Sequence, residues 1–92
     1  MNIGLLGFGV VGGGVWELAA GRQDVNVTRV LVRRPKEGLP AAVATTDVND
    51  ILGDDAIDTV VEVMGGLHPA YEYVTAAMER GKNVVTANKA LI

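Results

Sequence analysis

Cysteine is absent from the 92 residues, and aromatic residues make up only 4% of them. Without cysteine the chain has no disulfide, no thiolate nucleophile and no cysteine metal site, and we assign no metal-binding residues. Because aromatics are scarce and 49% of the residues are hydrophobic, the core must be built from Val, Leu, Ile and Ala. That composition is typical of a parallel sheet covered by helices on both faces.

Long apolar runs and a strong net charge are also lacking. No apolar run approaches the length of a membrane span, and Met1 leads directly into a strand-like segment, which leaves no room for a signal peptide. The net charge of −3 gives no overall field that would attract nucleic acid or an anionic membrane. We therefore expect one small cytoplasmic α/β domain, residues 1–92, without nucleic-acid or membrane partners.

The first fourteen residues contain the motif around which the chain is organised. A short apolar run passes directly into Gly7-Phe8-Gly9-Val10-Val11-Gly12, the Gly-x-Gly-x-x-Gly pattern of a dinucleotide-binding turn. The first glycine makes the turn, the second lets the backbone approach a pyrophosphate, and the third lets the helix pack closely on the strand. N–H groups at the start of the helix would then bind phosphate. The alternative is a glycine-rich turn that binds no ligand.

The rest of the pattern predicts alternating strands and helices. Apolar stripes for two helices fall at Val11, Val15, Leu18 and Ala19, and at Ala70, Val74, Ala77 and Met78. Further strands are expected at residues 25–32, around 43, at 57–64 and at 83–86, and a short helix at 48–52 that Asp47 would cap. This order predicts a Rossmann-like, doubly wound parallel sheet, incomplete, with about five strands.

Ligands of such sheets bind beyond the carboxyl ends of the strands, where the glycine turn, Gly65-Gly66 and Asn88-Lys89 fall. An NAD-specific sheet has an acidic residue after the second strand for the ribose 2′-hydroxyl, and here Val32 and Arg33 occupy that place, followed by Arg34 and, nearby, Lys36. A guanidinium fork suits a 2′-phosphate, so NADP is favoured over NAD. For Arg34 and Lys36 an ordinary solvated basic loop is the alternative.

Three segments resemble the signature segments of homoserine dehydrogenases. They are residues 3–12, residues 60–66 with Pro69-Ala70, and residues 81–91, which include Thr-Ala-Asn-Lys-Ala. The resemblance covers the whole chain and implies oxidoreduction between L-homoserine and L-aspartate 4-semialdehyde with NAD(P), in threonine and methionine biosynthesis. It implies that the chain is the cofactor-binding portion of a homo-oligomeric enzyme, inactive alone, because the family's substrate and dimerisation domain lies beyond these segments.

The resemblance also implies roles for single residues. The backbone of Phe8, Val10 and Val11 would contact the pyrophosphate and ribose, and Arg33 would contact the 2′-phosphate. Gly65 would border the cofactor. Lys89 would lie at the junction of cofactor and substrate as a catalytic group that orients the nicotinamide side or polarises an oxygen.

Two polar residues and two other functions complete the expectations. Glu62 is a charge within an apolar strand, for which we expect a partner outside the chain or an outward-facing position, and no catalytic role. His68, the one histidine, is expected to be a loop or capping residue. The other functions are a different NAD(P)-dependent oxidoreductase, against which Asn88-Lys89 argues, and a non-enzymatic dinucleotide-sensing module.

Overall fold

A five-stranded sheet in which every strand pair is parallel forms the centre of the computed structural model, which describes residues 1–91. In chain order the elements are β1 Asn2–Leu6, α1 Val10–Ala20, β2 Asn26–Leu31, β3 Ala44–Thr45, α2 Asn49–Leu52, β4 Thr59–Glu62, α3 Ala70–Glu79, β5 Asn83–Thr86 and a 3-10 turn Lys89–Leu91. The strand order is β3-β2-β1-β4-β5. The predicted Rossmann-like sheet is thereby confirmed, and the point where strand order reverses lies between β1 and β4.

Each face of the sheet has its own apolar cluster. Because successive side chains of a strand point to opposite faces, Ile3 and Leu5 of β1 pack toward α1, whereas Leu6 packs toward α2 and α3. The α1 cluster also includes Val30 of β2, and the other cluster includes Val60 of β4. The sheet is therefore covered on both faces, as the aliphatic composition predicts.

The buried face of α1 differs from the predicted stripe. Val11 and Leu18 of that stripe are 56% and 74% exposed, whereas Ala19 is buried as predicted and Gly12, which is not in the stripe, is buried as well. The reason is that the start of α1 lies so close to the glycine turn that a Cβ on Gly12 would be 2.6 Å from the Gly7 carbonyl oxygen, so glycine occupies this inward position and Val11 faces outward. In α3, likewise, Ala70 and Ala77 are buried as predicted, but Met78 is exposed.

Other bounds differ from the predictions by a few residues. β2 and β4 are shorter than expected at both ends, and the strand expected around residue 43 is Ala44–Thr45. The short helix begins at Asn49, one residue late, and its N-cap is Val48, which makes no side-chain cap, so the expectation that Asp47 is the N-cap is wrong. The Asp47 carboxylate, one residue before the N-cap, still accepts the Asn49 N–H at 2.9 Å. No helix within residues 1–91 combines the length and apolar character needed to cross a membrane.

A buried lysine stabilises the edge of the sheet at which the strands begin. Lys82, which precedes β5, is 9% exposed, and its Nζ donates hydrogen bonds to the carbonyl oxygens of Asp54 and Ile57, both at 2.7 Å. These carbonyls belong to the segment between α2 and β4. The ammonium group therefore ties that segment to the start of β5, a contact that the sequence pattern did not indicate.

Candidate functional site

The glycine turn between β1 and α1 has the backbone geometry that its sequence predicts. Gly7 has φ of +105°, a conformation that L side chains rarely adopt, and its N–H donates to the carbonyl oxygen of Leu31 at 3.1 Å. A Cβ on Gly12 would lie 2.6 Å from the Gly7 carbonyl oxygen, so only glycine lets the helix start so close to the turn. A Cβ on Gly9 would meet nothing within 4 Å. The second glycine thus faces open space, where a ligand can approach the backbone.

The start of α1 offers hydrogen-bond donors at this open face. Gly9 is the N-cap and provides no side-chain cap, and Gly13 is the first residue whose N–H reaches a helical carbonyl, that of Gly9 at 2.8 Å. Within residues 1–91 the N–H groups of Gly9, Val10 and Val11 have no acceptor. A helix start of this kind binds anions through its free N–H groups and the positive end of its dipole.

An aromatic pair holds the turn against the helix. The rings of Phe8 and Trp16 meet edge to face, with 6.4 Å between their centroids and an angle of 74° between their planes. Phe8 is in the turn and Trp16 is in α1, six residues after its first residue, Val10. The contact between the two rings therefore stabilises the position of the turn relative to α1, the helix whose first N–H groups are free.

A basic loop and a cleft lie at the carboxyl ends of β2 and β3. Arg33 and Arg34 are exposed in this loop. The adjacent Val32 is buried, and its N–H donates to the backbone carbonyl oxygen of Thr45 at 2.8 Å, which joins the ends of β2 and β3. The cleft has a volume of about 380 Å³, and its walls are formed by Val32, Pro35, Lys36, Leu39, Ala41, Ala44, Thr45 and Thr46. An apolar cleft beside two guanidinium groups suits a flat ring that carries an anionic substituent nearby.

The expectation for Glu62 is wrong. The residue is fully buried at the end of β4 and finds its partners inside the chain, because its carboxylate accepts the Met64 N–H at 2.6 Å and the Thr86 hydroxyl at 2.5 Å. The register of the parallel strands places Thr86 directly beside Glu62. Periodicity along one strand cannot show a partner on its neighbour, although a threonine at the last position of the next strand was a usable signal.

A polar network continues from Thr86 to the last turn of the described chain. The Thr86 oxygen accepts the Asn88 N–H at 2.9 Å, the Asn88 side-chain amide donates to the carbonyl oxygen of Gly66, and its side-chain oxygen accepts the Ala90 N–H at 3.0 Å. Asn88 is buried, whereas Lys89, which begins the 3-10 turn, is exposed. The network thus presents the lysine at the carboxyl end of β5.

The structure brings three of the expected sites together, the glycine turn, Gly65-Gly66 and the Lys89 turn, and places the basic loop on the other side of β1. The Gly65-Gly66 segment meets the Lys89 turn through the bond between Asn88 and Gly66, and the residues just before it, Val63 and Met64, lie against Gly7. Arg33 and Arg34 follow β2, on the other side of β1. His68 lies in the turn before α3, as expected of a loop residue, and pairs with Glu72. The roles of Thr86 and Asn88 within this edge were not anticipated.

Comparison with known proteins matches the chain to homoserine dehydrogenases. The family model for the homoserine dehydrogenase NAD-binding domain matches residues 7–92. The homoserine dehydrogenase of Methylobacillus glycogenes is 42% identical over 105 aligned residues, which cover 100% of this chain and 26% of that protein, and the Bacillus subtilis (strain 168) enzyme is 37% identical, covering 100% and 24%. The crystal structure of S. aureus homoserine dehydrogenase at pH 7.5 superimposes with a TM-score of 0.87 and 37% identity, over 100% of this chain and 27% of that one. The chain spans about a quarter of the length of the curated relatives it matches.

Proposed function

Because the chain belongs to the homoserine dehydrogenase family, whose NAD-binding domain it matches, we propose that it is the cofactor-binding domain of an enzyme that interconverts L-homoserine and L-aspartate 4-semialdehyde. The family match indicates NAD(P) binding and a small-molecule substrate. The observation that carries the proposal is the glycine turn, which leaves free N–H groups at the start of α1 beside an open face at Gly9. NAD(P), when bound, carries the hydride that the reaction moves.

The residues of the turn fit the pyrophosphate of such a cofactor. The donors are backbone groups of Gly9, Val10 and Val11, so binding needs no basic side chain there. Gly7 and Gly12 provide the geometry without contributing a side chain, and Phe8 holds the turn through its contact with Trp16. The valine side chains are exposed at 96% and 56%, which leaves apolar surface beside the donors for the ribose.

The basic loop fits the other end of the cofactor and favours NADP. Arg33 and Arg34 occupy the place of the acidic residue that would accept the ribose 2′-hydroxyl of NAD. Two guanidinium groups and the Lys36 ammonium at the cleft provide charge-assisted donors for a 2′-phosphate. We propose that the adenine ring occupies the cleft between the ends of β2 and β3.

Lys89 is our candidate for the group nearest the reaction. Its ammonium is exposed at the carboxyl end of β5, where it can donate a hydrogen bond to an oxygen of the substrate or of the cofactor. Gly65 precedes the carbonyl group that holds Asn88, so we place it beside the same end of the cofactor. Hydride transfer also requires the substrate to be held in a near-attack geometry, and we assign that task to a further domain of the enzyme.

A calorimetric titration with NADP and NAD tests the proposal. The 92-residue chain should bind NADP more tightly than NAD, and Arg33→Ala should weaken NADP binding by about tenfold or more, since a hydrogen bond to a charged group is worth about 1.5–3 kcal/mol. NAD binding should be unchanged. Arg22→Ala is the matched control, because Arg22 is an exposed arginine paired with Asp24 before β2, away from the carboxyl edge.

The outcomes separate the parts of the proposal. Equal loss of NADP and NAD affinity in Arg33→Ala would contradict the 2′-phosphate assignment, and binding of neither nucleotide by the wild-type chain would contradict the cofactor-binding role. Oxidation of homoserine by the 92-residue chain alone would contradict the need for a further domain. We also propose a homo-oligomeric, cytoplasmic enzyme, which sedimentation and fractionation in the source cell would test.

A further inference from the structure

Glu62 is a buried carboxylate to which the proposed function gives no task. It is fully buried at the carboxyl end of β4, and each of its oxygens accepts one hydrogen bond, from the Met64 N–H at 2.6 Å and from the Thr86 hydroxyl at 2.5 Å. Burying a carboxylate is costly unless its oxygens are hydrogen-bonded. Charge-assisted bonds of this kind are short and directional, so the three groups are held firmly relative to one another.

One branch from Glu62 reaches the glycine turn. The bond to the Met64 N–H sets the backbone just after β4, and this backbone forms the wall beside Gly7. A Cβ on Gly7 would lie 3.3 Å from the Val63 carbonyl oxygen and 3.4 Å from the Met64 N and Cα atoms. A shift of the Met64 backbone would therefore press on the turn or withdraw its support.

The second branch reaches Lys89. The Thr86 oxygen that donates to Glu62 also accepts the Asn88 N–H at 2.9 Å, and the Asn88 side chain bonds both Gly66 and the Ala90 N–H. These bonds set where the 3-10 turn begins, and Lys89 is its first residue. The position of the lysine therefore depends on the orientation of the buried carboxylate.

We propose that Glu62 is a positioning residue that couples the glycine turn to the Lys89 turn, so that cofactor affinity depends on a side chain that does not touch the cofactor. The inference rests on the proposed function, because it concerns the same binding edge. The physical basis is that one carboxylate accepts two hydrogen bonds, from the Met64 N–H and the Thr86 hydroxyl, and thereby holds two separate loops in a single arrangement. Loosening either loop lowers the fraction of molecules with a complete site.

NADP titration of Glu62→Ala and Glu62→Gln tests this coupling. The alanine variant should bind NADP about ten to a hundred times more weakly, the range expected when charge-assisted hydrogen bonds are lost. The glutamine variant should lose clearly less affinity than the alanine variant. Its amide oxygen can accept the Met64 N–H, and its amide nitrogen can donate to the Thr86 oxygen, which still has a lone pair for the Asn88 N–H, so both links persist although the Thr86 O–H gives up its carboxylate acceptor.

Lys82→Met is the matched control for loss of a buried charged group. Lys82 bonds backbone carbonyls at the opposite edge of the sheet, so its replacement should lower stability without changing NADP affinity in the folded protein. Far-UV circular dichroism and urea unfolding establish the folded fraction of every variant before titration. If Glu62→Ala does not fold, Thr86→Val removes the hydroxyl link toward Lys89 with a side chain of similar shape, leaves the bond to the Met64 N–H in place, and should also weaken NADP binding.

A double-mutant cycle on NADP affinity distinguishes coupling through this hydrogen-bond network from a general loss of rigidity in the protein. Glu62→Ala and Asn88→Ala break one network, so their combined effect on NADP affinity should be clearly smaller than the product of the single effects. Glu62→Ala combined with Lys82→Met should give the simple product.

The outcomes are distinguishable from those of the proposed function. If the wild-type chain does not bind NADP, the proposed function fails. If the wild type binds and folded Glu62→Ala binds equally well, only the coupling role of Glu62 is wrong. Equal losses in the alanine and glutamine variants, or an equal loss in Lys82→Met, would likewise overturn positioning by hydrogen bonds.

Discussion

Replacing Gly12 with alanine should destabilise the protein, whereas the same replacement at Gly14, two residues further along α1, should stabilise it. A Cβ on Gly12 would lie 2.6 Å from the Gly7 carbonyl oxygen and 3.1 Å from its carbon, and both are backbone atoms that no side-chain rotation can move. A Cβ on Gly14 would meet nothing within 4 Å. The two substitutions add the same methyl group to the same helix, so they differ only in what surrounds it.

The magnitude follows from the geometry. Ordinary contact begins at 3.4 Å, so the start of α1 and the turn would have to separate by about 0.8 Å, the difference between 3.4 and 2.6 Å. Overpacking of this kind costs about 1–3 kcal/mol, and the higher helix propensity of alanine offsets about 1 kcal/mol of it. We expect a net loss of about 1 kcal/mol for Gly12→Ala and a gain of up to about 1 kcal/mol for Gly14→Ala.

Urea unfolding monitored by far-UV circular dichroism measures both free energies of unfolding, and thermal unfolding checks them. Since about 1 kcal/mol shifts the melting temperature of a domain of this size by about 4–8 °C, the two variants should melt roughly 8–16 °C apart. Equal melting temperatures, or a Gly12→Ala variant more stable than Gly14→Ala, would refute the reasoning that close approach of α1 to the turn requires glycine at residue 12.

Two further predictions concern buried and paired polar groups. Lys82→Met should lower the free energy of unfolding by about 2 kcal/mol or more, because two backbone carbonyls lose the ammonium donor that they share, and a wild-type urea midpoint would contradict this. The Thr59 hydroxyl, followed by the Asn2 backbone N–H, holds the pKa of Asp58 below its usual range. The folded-state pKa is thus lower than the unfolded one, so this stabilisation is present above the unfolded pKa and is lost as the pH falls through the folded pKa. Asp58→Asn should be less stable than wild type at neutral pH, with the difference shrinking below about pH 4; a difference independent of pH in urea unfolding would contradict it.

The order of strands and helices could be predicted because it depends on local patterns. Apolar runs separated by turns indicate strands, and glycines at residues 21 and 81 indicate where α1 and α3 end. The glycine turn could also be predicted, since the spacing of its glycines is a local pattern between a strand and the helix that follows it. Arg33 and Lys89 were selected by their place after a strand and by the family resemblance, and their roles stay predictions.

The faces of the helices and the partners of buried polar groups could not be predicted in the same way. Whether Val11 or Gly12 faces inward depends on how closely the start of α1 approaches the glycine turn, and both choices fit a helical period. The partner of Glu62 lies on β5, twenty-four residues away in sequence, and becomes its neighbour only through parallel pairing of the two strands. Lys82 reaches the carbonyls of another segment for the same reason.

By itself the sequence determined the α/β class, the element order, the dinucleotide turn and the family, because each of these depends on residues close together along the chain or on matched segments. Only the tertiary structure decided which helix faces are buried, that Glu62 is paired inside the chain, and that the glycine turn and the Lys89 turn are joined through one carboxylate. The physical reason is that parallel pairing of β1, β4 and β5 places distant strand ends side by side, and hydrogen bonds then form between groups that no local pattern relates.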